Sequence, residues 1–433
     1  MRRDRSRIFG AFALAAIVLS IALPSAAIAA ETTDPRLRTA IERALGQNPE
    51  IGEMELRIEA ARNRIPQARA LPDPTLTSGA VNVPLPSFSF ARDDMTMKMA
   101  TLEQRVPAPG KRRAAAAIAD ADVEIAHAMH AEHINRLVSE VVDSFFEIAG
   151  VDARLAIARR SLDRATRVSE SARSRYRVGQ GALPDPLLAA VEETKFRDRI
   201  RALEADRAAA AARFNTLQNL PANEAVQVIP LPSMDRRIPD GAAVRAAIEK
   251  SPAILQAQAE VRRADRDLDR ARLDRRPDLT FMTSYGERQR RDDMVGATVG
   301  IDLPFFQAKR VSARVAEKQA ELGAAKKKLE SVRLGVSREV EEALIVLARE
   351  ADRAALYRDT ILTQDRTAAE AAEQAYAVGK IDFQTYVRAV LAVDEDEAET
   401  VMREAALPRA RARLQAATGF PFFKYSAPEE DPR

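Results

Sequence analysis

The chain has no cysteine in its 433 residues. That excludes disulfides, thiolate metal sites, a cysteine nucleophile and a lipid anchor on cysteine. There are only three histidines. No Ser-His-Asp arrangement, no phosphate-cradling glycine loop and no zinc-type spacing occurs, so neither an enzyme nor a bound cofactor is expected. An excess of one charge is also missing beyond the first thirty residues. Those carry Arg2, Arg3, Arg5 and Arg7 against Asp4, which accounts for the whole-chain net of +3 and leaves 63 basic against 63 acidic residues. Such a balance gives no support to nucleic-acid binding. After residue 30 no stretch of about 18 uncharged apolar residues remains, so no transmembrane helix is expected. A second entry into a bilayer would have to be as a β-barrel, the other structure that satisfies its backbone in lipid.

What is present begins with a secretory signal. A basic start is followed by an apolar or small run from Ile8 to Leu23, then Ala27-Ile28-Ala29 as a small-residue cleavage site. This pattern predicts removal of residues 1–29 and a mature chain outside the cytoplasm. The rest reads as two copies of one plan. Asn48-Pro49-Glu50-Ile51 returns as Ser251-Pro252-Ala253-Ile254, and Pro74-Thr75-Leu76-Thr77 as Pro277-Asp278-Leu279-Thr280, both 203 residues later. Val106-Pro107 is echoed by Leu303-Pro304. Tyr176-Arg177-Val178-Gly179 is echoed by Tyr376-Ala377-Val378-Gly379 at an offset of 200. The expected divisions are a first repeat at 30–219, a proline-rich linker at 220–240, a second repeat at 241–419 and a disordered tail at 420–433.

Each copy follows the same order. A helix comes first, Leu56 to Ala70 and then Ala253 to Leu273. Two strands follow, at about 74–82 and 96–107 in copy one and about 278–286 and 294–304 in copy two. A long helix covers about 111–176 and then about 309–376, and a glycine turn leads into a last helix. Ile134, Val141, Ile148, Leu155 and Leu162 recur every seven residues, as do Val340, Leu347, Ala354 and Ile361. Such a seam implies coiled-coil packing, which a plain helical rod would also show.

The strands argue against a plain rod. Val295, Ala297, Val299, Ile301 and Leu303 alternate with Gly296, Thr298, Gly300 and Asp302, the period of a strand with one apolar face. Leu279, Phe281 and Tyr285 share one side of its partner. Copy one alternates less cleanly, because Met97 and Met99 are out of phase with Leu102 and Val106. Residues 83–95 read as an exposed loop. Membrane barrels need eight strands or more. Four per chain would leave bare edges, so several chains must share one wall. A small soluble sheet capping a rod is the alternative.

This pattern resembles the TolC-like outer-membrane factor family over nearly all of the mature chain. The duplicated order carries the resemblance, together with local motifs. Leu102-Glu103-Gln104-Arg105-Val106-Pro107-Ala108-Pro109-Gly110-Lys111-Arg112 looks like the strand-to-helix junction of its heavy-metal efflux branch. The segments Arg175-Tyr176-Arg177-Val178-Gly179 and Tyr376-Ala377-Val378-Gly379 look like its periplasmic-tip turns. The resemblance implies a mainly α fold with a small β part. Three chains would form a long coiled-coil α-helical barrel and one transmembrane β-barrel in the outer membrane. It also implies partners: an inner-membrane pump, commonly proton-driven, and a periplasmic adaptor. The duct would export metal ions or small toxic compounds passively. A type I protein-secretion duct of the same fold, or a soluble periplasmic coiled-coil adaptor, are the rival readings. An adaptor, however, needs β-rich blocks that are not seen here.

Several candidate sites follow. Tyr176, Val178, Gly179, Tyr376, Val378 and Gly379 would form the tip that meets the adaptor. Asp185 and Asp382 are candidate entrance-gate residues, since a ring of carboxylates attracts cations. Related ducts carry a double-Asp version, but Leu188 fills the second position here and Thr385 stands where Asp185 would recur. Asp382 also suits a helix N-cap. His127, His130 and His133 cluster on the first long helix, where an i, i+3 pair could touch a metal or simply be interhelical polar residues. The run Asp394-Glu395-Asp396-Glu397 reads as a solvated or lumenal helix face.

Overall fold

Asn48 and Ser251 start the two copies in the same way. Each precedes a proline, whose fixed φ and missing N–H suit the first position of a helix. Asn48 accepts from the Glu50 N–H at 2.9 Å and donates through Nδ2 to the Leu217 carbonyl at 3.0 Å. Ser251 donates through Oγ to the Ala417 carbonyl at 2.9 Å. The start of each copy is therefore tied to the end of its own last helix, at carbonyls 200 positions apart. Left-handed residues close both ends, Asn219 at φ 57° and Gly419 at φ 69°.

The computed structural model describes residues 34–85, 87–232, 238–302 and 308–419. The signal segment, Leu303-Pro304 with the end of the fourth strand, and the tail lie outside the described residues. In chain order the elements are α1 (Pro35–Gln47), α2 (Pro49–Arg69), β1 (Thr75–Val81), β2 (Met97–Val106), α3 (Lys111–Arg177) and α4 (Pro184–Leu217). The second copy follows with α5 (Gly241–Ala247), α6 (Pro252–Leu273), β3 (Leu279–Glu287), β4 (Met294–Ile301), α7 (Ala308–Leu356), α8 (Leu362–Ala377) and α9 (Phe383–Thr418). The first-copy helix expected from Leu56 begins earlier, at Pro49, because the Asn48 cap sets its start. A separate helix, α1, precedes it.

α3 has 67 residues and so spans roughly 100 Å at 1.5 Å per residue. Its heptad seam is real: Val141, Ile148 and Leu155 are buried. In copy two Val340, Leu347 and Ala354 are buried likewise, but then the seam slips. The long helix expected over 309–376 is broken by one π-helical turn, Tyr357–Ile361. A π-turn inserts an extra residue into the helix, so Leu362 is buried in place of the expected Ile361.

The two largest cores among the described residues hold the shaft. In copy one Phe145, Phe146 and Phe214 meet with ring centroids at 5.3 and 6.1 Å, under α1 residues Leu37 and Ile41. In copy two Val340, Leu347, Leu407 and Leu414 pack with Val244 and Ile254. The linker lies against the first core through Val226, Ile229 and Leu231. Asp152 fixes it, accepting from the Ile229 N–H at 2.9 Å and from Arg207 Nε at 2.5 Å. The four strands form one antiparallel sheet in the order β1-β2-β3-β4, with Leu76 opposite Leu102, Leu102 opposite Thr283, and Thr283 opposite Ala297.

Candidate functional site

Alternate residues of a strand point to opposite faces, so the register sorts the sheet. One face carries Leu76, Leu102, Phe281, Val295, Val299 and Ile301. These side chains are 44% to 79% exposed. The other face carries Thr75, Thr77, Thr101, Glu103, Ser284 and Thr298, with glycines between them. Along β3 the apolar face is the exposed one and the polar face is half-buried, as on a sheet curved with its polar side inward. The out-of-phase Met97 and Met99 belong to the polar side with Thr101 and Glu103, while Lys98 and Gln104 share the side of Leu102 and Val106, so β2 alternates less regularly than β4. No helix among the described residues is long and apolar enough to cross a membrane, which says nothing of the sheet.

Where sheet meets shaft, Asp278 gathers the strand-to-helix junction. It accepts from the Ala108 N–H at 2.8 Å and Lys111 Nζ at 2.7 Å, and Arg105 reaches it at 3.2 Å. Burial pushes its carboxyl pKa up, but the hydrogen bonds from Lys111 and Ala108 and the charge of Arg105 outweigh that and hold it below the usual value. Arg105 also reaches Asp302 at 3.3 Å, which joins the ends of three strands.

At the far end, the two glycine turns are copies of each other. Gly179 donates to the Tyr176 carbonyl at 3.0 Å and Gln180 to that of Arg175 at 2.9 Å. Gly379 donates to Tyr376 at 3.0 Å and Lys380 to Ala375 at 2.8 Å. This is the Schellman pattern that satisfies the last helical carbonyls. Both glycines need their positive φ, 75° and 74°, rather than space, since a Cβ at either would meet nothing within 4 Å. Val178, Val378 and Tyr176 are exposed. Tyr376 is not free in the same way. It stacks on Tyr386 at 4.9 Å and 5°, lies 5.8 Å from Phe383, and has the Arg175 guanidinium over its ring at 4.7 Å. Phe383 and Tyr386 are not among the residues the sequence singles out, and Arg175 is legible there only as part of the first tip motif. The i, i+3 spacing of the two aromatics just after the turn was the available signal.

Asp382 caps α9, accepting from the Thr385 N–H at 2.7 Å. That bond lowers its pKa. Asp185 sits in the first turn of α4 and accepts from the Ala182 N–H at 3.3 Å. The histidines do not assemble into a metal centre. His127 lies 3.4 Å from an Arg62 nitrogen, and His133 lies 2.8 Å from one of Arg136 and 4.0 Å from Glu50. His130 is buried. Adjacent guanidinium groups oppose a cation, and no group of three His, Asp or Glu among the described residues is placed to hold one.

The carboxylate run on α9 is not a single solvated face. Asp394 is 5% exposed and takes Arg164 at 3.2 Å. Burial leaves its pKa raised. Glu397 takes Arg160 at 2.9 Å. Asp396 meets Asp365 of α8. Hydrogen bonding to that carboxyl, then burial and the charges of Asp365, Glu395 and Glu399, push its pKa up to about 6.

A helical shaft carrying a four-stranded sheet with one exposed apolar face and one polar face is the build of a channel component and not of an enzyme. The profile of the outer membrane efflux proteins matches residues 40–219 and 243–420, and the chain belongs to that family, whose place is the outer membrane. It is 24% identical over 352 residues, 80% of this chain and 81% of the other, to the cobalt-zinc-cadmium resistance protein CzcC of Cupriavidus metallidurans. Among solved structures it resembles the outer-membrane channel OprN, with a TM-score of 0.78 at 21% identity over 90% of this chain and 91% of that one. VceC of Vibrio cholerae gives 0.76 at 16% over 90% and 97%, and CusC gives 0.74 at 16% over 89% and 92%. These structures share the fold.

Proposed function

We propose that three copies close into one twelve-stranded barrel and a continuous helical tunnel, forming the passive outer-membrane duct of a tripartite efflux system. One observation carries this: a four-stranded sheet with an exposed apolar face is too small to close alone, since membrane barrels need about eight strands or more. The apolar face then meets lipid and the polar face lines water. The tip turns at Gly179 and Gly379, with exposed Val178 and Val378, dock a periplasmic adaptor, and Tyr176 borders that surface. Tyr376 supports it from beneath through its stack on Tyr386. Asp185 and Asp382 stand near the entrance, where threefold repetition makes carboxylate rings. An inner-membrane pump, proton-driven in this reading, supplies the energy, because nothing in the chain carries out chemistry.

The cargo is a metal ion or small toxic compound. The likeness to a cobalt-zinc-cadmium resistance protein favours divalent metals. Deleting the gene tests this. Greater sensitivity to Co²⁺, Zn²⁺ and Cd²⁺, restored by the intact gene, is the expected result. Unchanged metal and drug tolerance together with lost secretion of a large protein would establish the secretion duct instead.

A further inference from the structure

The strands contain four methionines, Met97 and Met99 in β2, Met282 in β3 and Met294 in β4. All four lie on the polar face, and the apolar face has none. A methionine serving only as apolar surface would suit the lipid side, where leucine, valine, isoleucine and phenylalanine stand. Here the thioethers sit on a face of mostly threonine, serine and glycine, with Val81 opposite Met97.

Three of them surround one glycine. Met99 and Met294 are the cross-strand neighbours of Gly286 on either side. Met97 leans over the same residue, its Sδ 2.6 Å from where a Gly286 Cβ would stand. Met97 fills the space left by the missing side chain, and the register sets Met99 and Met294 on the strands either side of it. Met97 is 9% exposed and Met294 43%, so the group runs from a packed sulfur to an open one. Thioethers are soft, uncharged ligands that select soft monovalent metal ions over Zn²⁺ or Mg²⁺. They need no deprotonation, so such a site works across the pH range of a compartment open to the medium.

We propose that Met97, Met99 and Met294 form a thioether site for a soft monovalent cation, Cu(I) or Ag(I), on the lumenal face of the barrel. The site rests on the reading of this face as the wall of a water-filled duct. It adds a cargo class that the divalent-metal likeness does not include. Three chains place three such sites around one lumen, at the end of the sheet remote from the shaft.

The test is equilibrium dialysis of silver nitrate against the full-length protein in detergent, without chloride or thiols. One Ag⁺ per chain is expected, with affinity lowered at least tenfold in M97L/M99L/M294L and unchanged in M54L/M402L, whose methionines lie outside the sheet. Leucine conserves volume, so the barrel should tolerate the exchange. If the triple variant fails to assemble, M294L alone should still weaken binding, since its side chain is the most open of the three. Absence of saturable binding by the wild type, equal binding by the variants, or full competition by Zn²⁺ would overturn the proposal. Conductance of the same wild-type protein in planar bilayers separates the two readings. A conducting protein that binds no silver refutes the site alone, and a non-conducting one refutes the duct.

Discussion

Ala297→Arg and Thr298→Arg differ by one position and should differ by an entire membrane. Ala297 lies midway along β4, in the cross-strand row Leu76–Leu102–Thr283–Ala297 of the exposed apolar face. Thr298 lies in the next row, Thr75–Glu103–Met282–Thr298, on the polar face. An arginine on the lipid side near the midplane of a barrel costs about 2–4 kcal/mol. Three copies per barrel bring that to roughly 6–12 kcal/mol, comparable with the whole stability of an ordinary domain. The same arginine at position 298 points into water and has Glu103 on its own face, so its cost is about 0–1 kcal/mol per chain. Heat-resistant oligomers extracted from outer membranes and resolved by gel mobility report the difference. Ala297→Arg should abolish the resistant band or lower its dissociation temperature by tens of degrees, and Thr298→Arg should leave it nearly unchanged. Equal losses, or a larger loss for Thr298→Arg, would refute the assignment of faces.

Asp143→Ala removes the carboxylate that Arg409 meets at 2.8 Å and Arg213 at 3.4 Å, taking from the partly buried Arg409 its hydrogen-bonded partner while Arg213 keeps Glu147 at 3.6 Å. A loss of roughly 3 kcal/mol is expected in chemical unfolding, and a change under 1 kcal/mol would contradict the role given to this group. Gly179→Ala and Gly379→Ala force a Cβ onto a positive φ at a cost of about 1–2 kcal/mol each, although space is free. Local hydrogen exchange should rise at the altered tip while the shaft stays protected, and equal exchange at both would count against a conformational cost. Asp396 has its pKa raised to about 6 in the fold. Its contribution is therefore full below the ordinary carboxylate pKa and is lost as pH rises toward 6. Asp396→Asn should thus raise the melting temperature at pH 7.5 relative to the wild type and give no gain at pH 4, and a gain independent of pH would contradict the pairing with Asp365. Asp143 titrates the other way. Burial pushes its pKa up, but Arg409, Arg413 and Arg213 outweigh that and leave it lowered, so the stability it gives is present at neutral pH and disappears as pH falls through the acid range. The Asp143→Ala loss should therefore shrink in acid.

The duplication and the heptad seams were legible in the sequence because each rests on a period. The proline and glycine positions fix where chains turn, and Val141, Ile148 and Val340 fall where a seven-residue repeat puts them. What the sequence hid is local. A π-turn leaves no residue signature of its own, so a strict seven-residue period points to Ile361 whereas the fold buries Leu362. Methionine counts as apolar on any hydropathy scale, and this made β2 look irregular. Met97 and Met99 fall with Thr101 on the polar face, but Lys98 and Gln104 stand on the apolar one, so β2 stays less regular than β4. The tip turns were found from Gly179 and Gly379, because only a residue tolerant of positive φ ends a helix in this way. The aromatic packing beneath them was not, since Arg175 and Tyr376 come from different copies and meet only through tertiary structure. The three histidines were close in sequence, but Arg62 and Arg136 occupy their surroundings, and neither neighbour could be read from the spacing. Asp394 to Glu397 looked like one solvated strip because consecutive helical residues point in different directions, and only the fold shows which partner each one meets.

The stoichiometry of the protein purified in detergent bears most directly on whether sister chains complete the wall. Native mass spectrometry of outer-membrane material should give a single species of three mature chains that resists dissociation. A monomer that stays soluble once detergent is withdrawn would mean that the sheet with exposed Val295 and Val299 never enters lipid, and the duct would have to be abandoned.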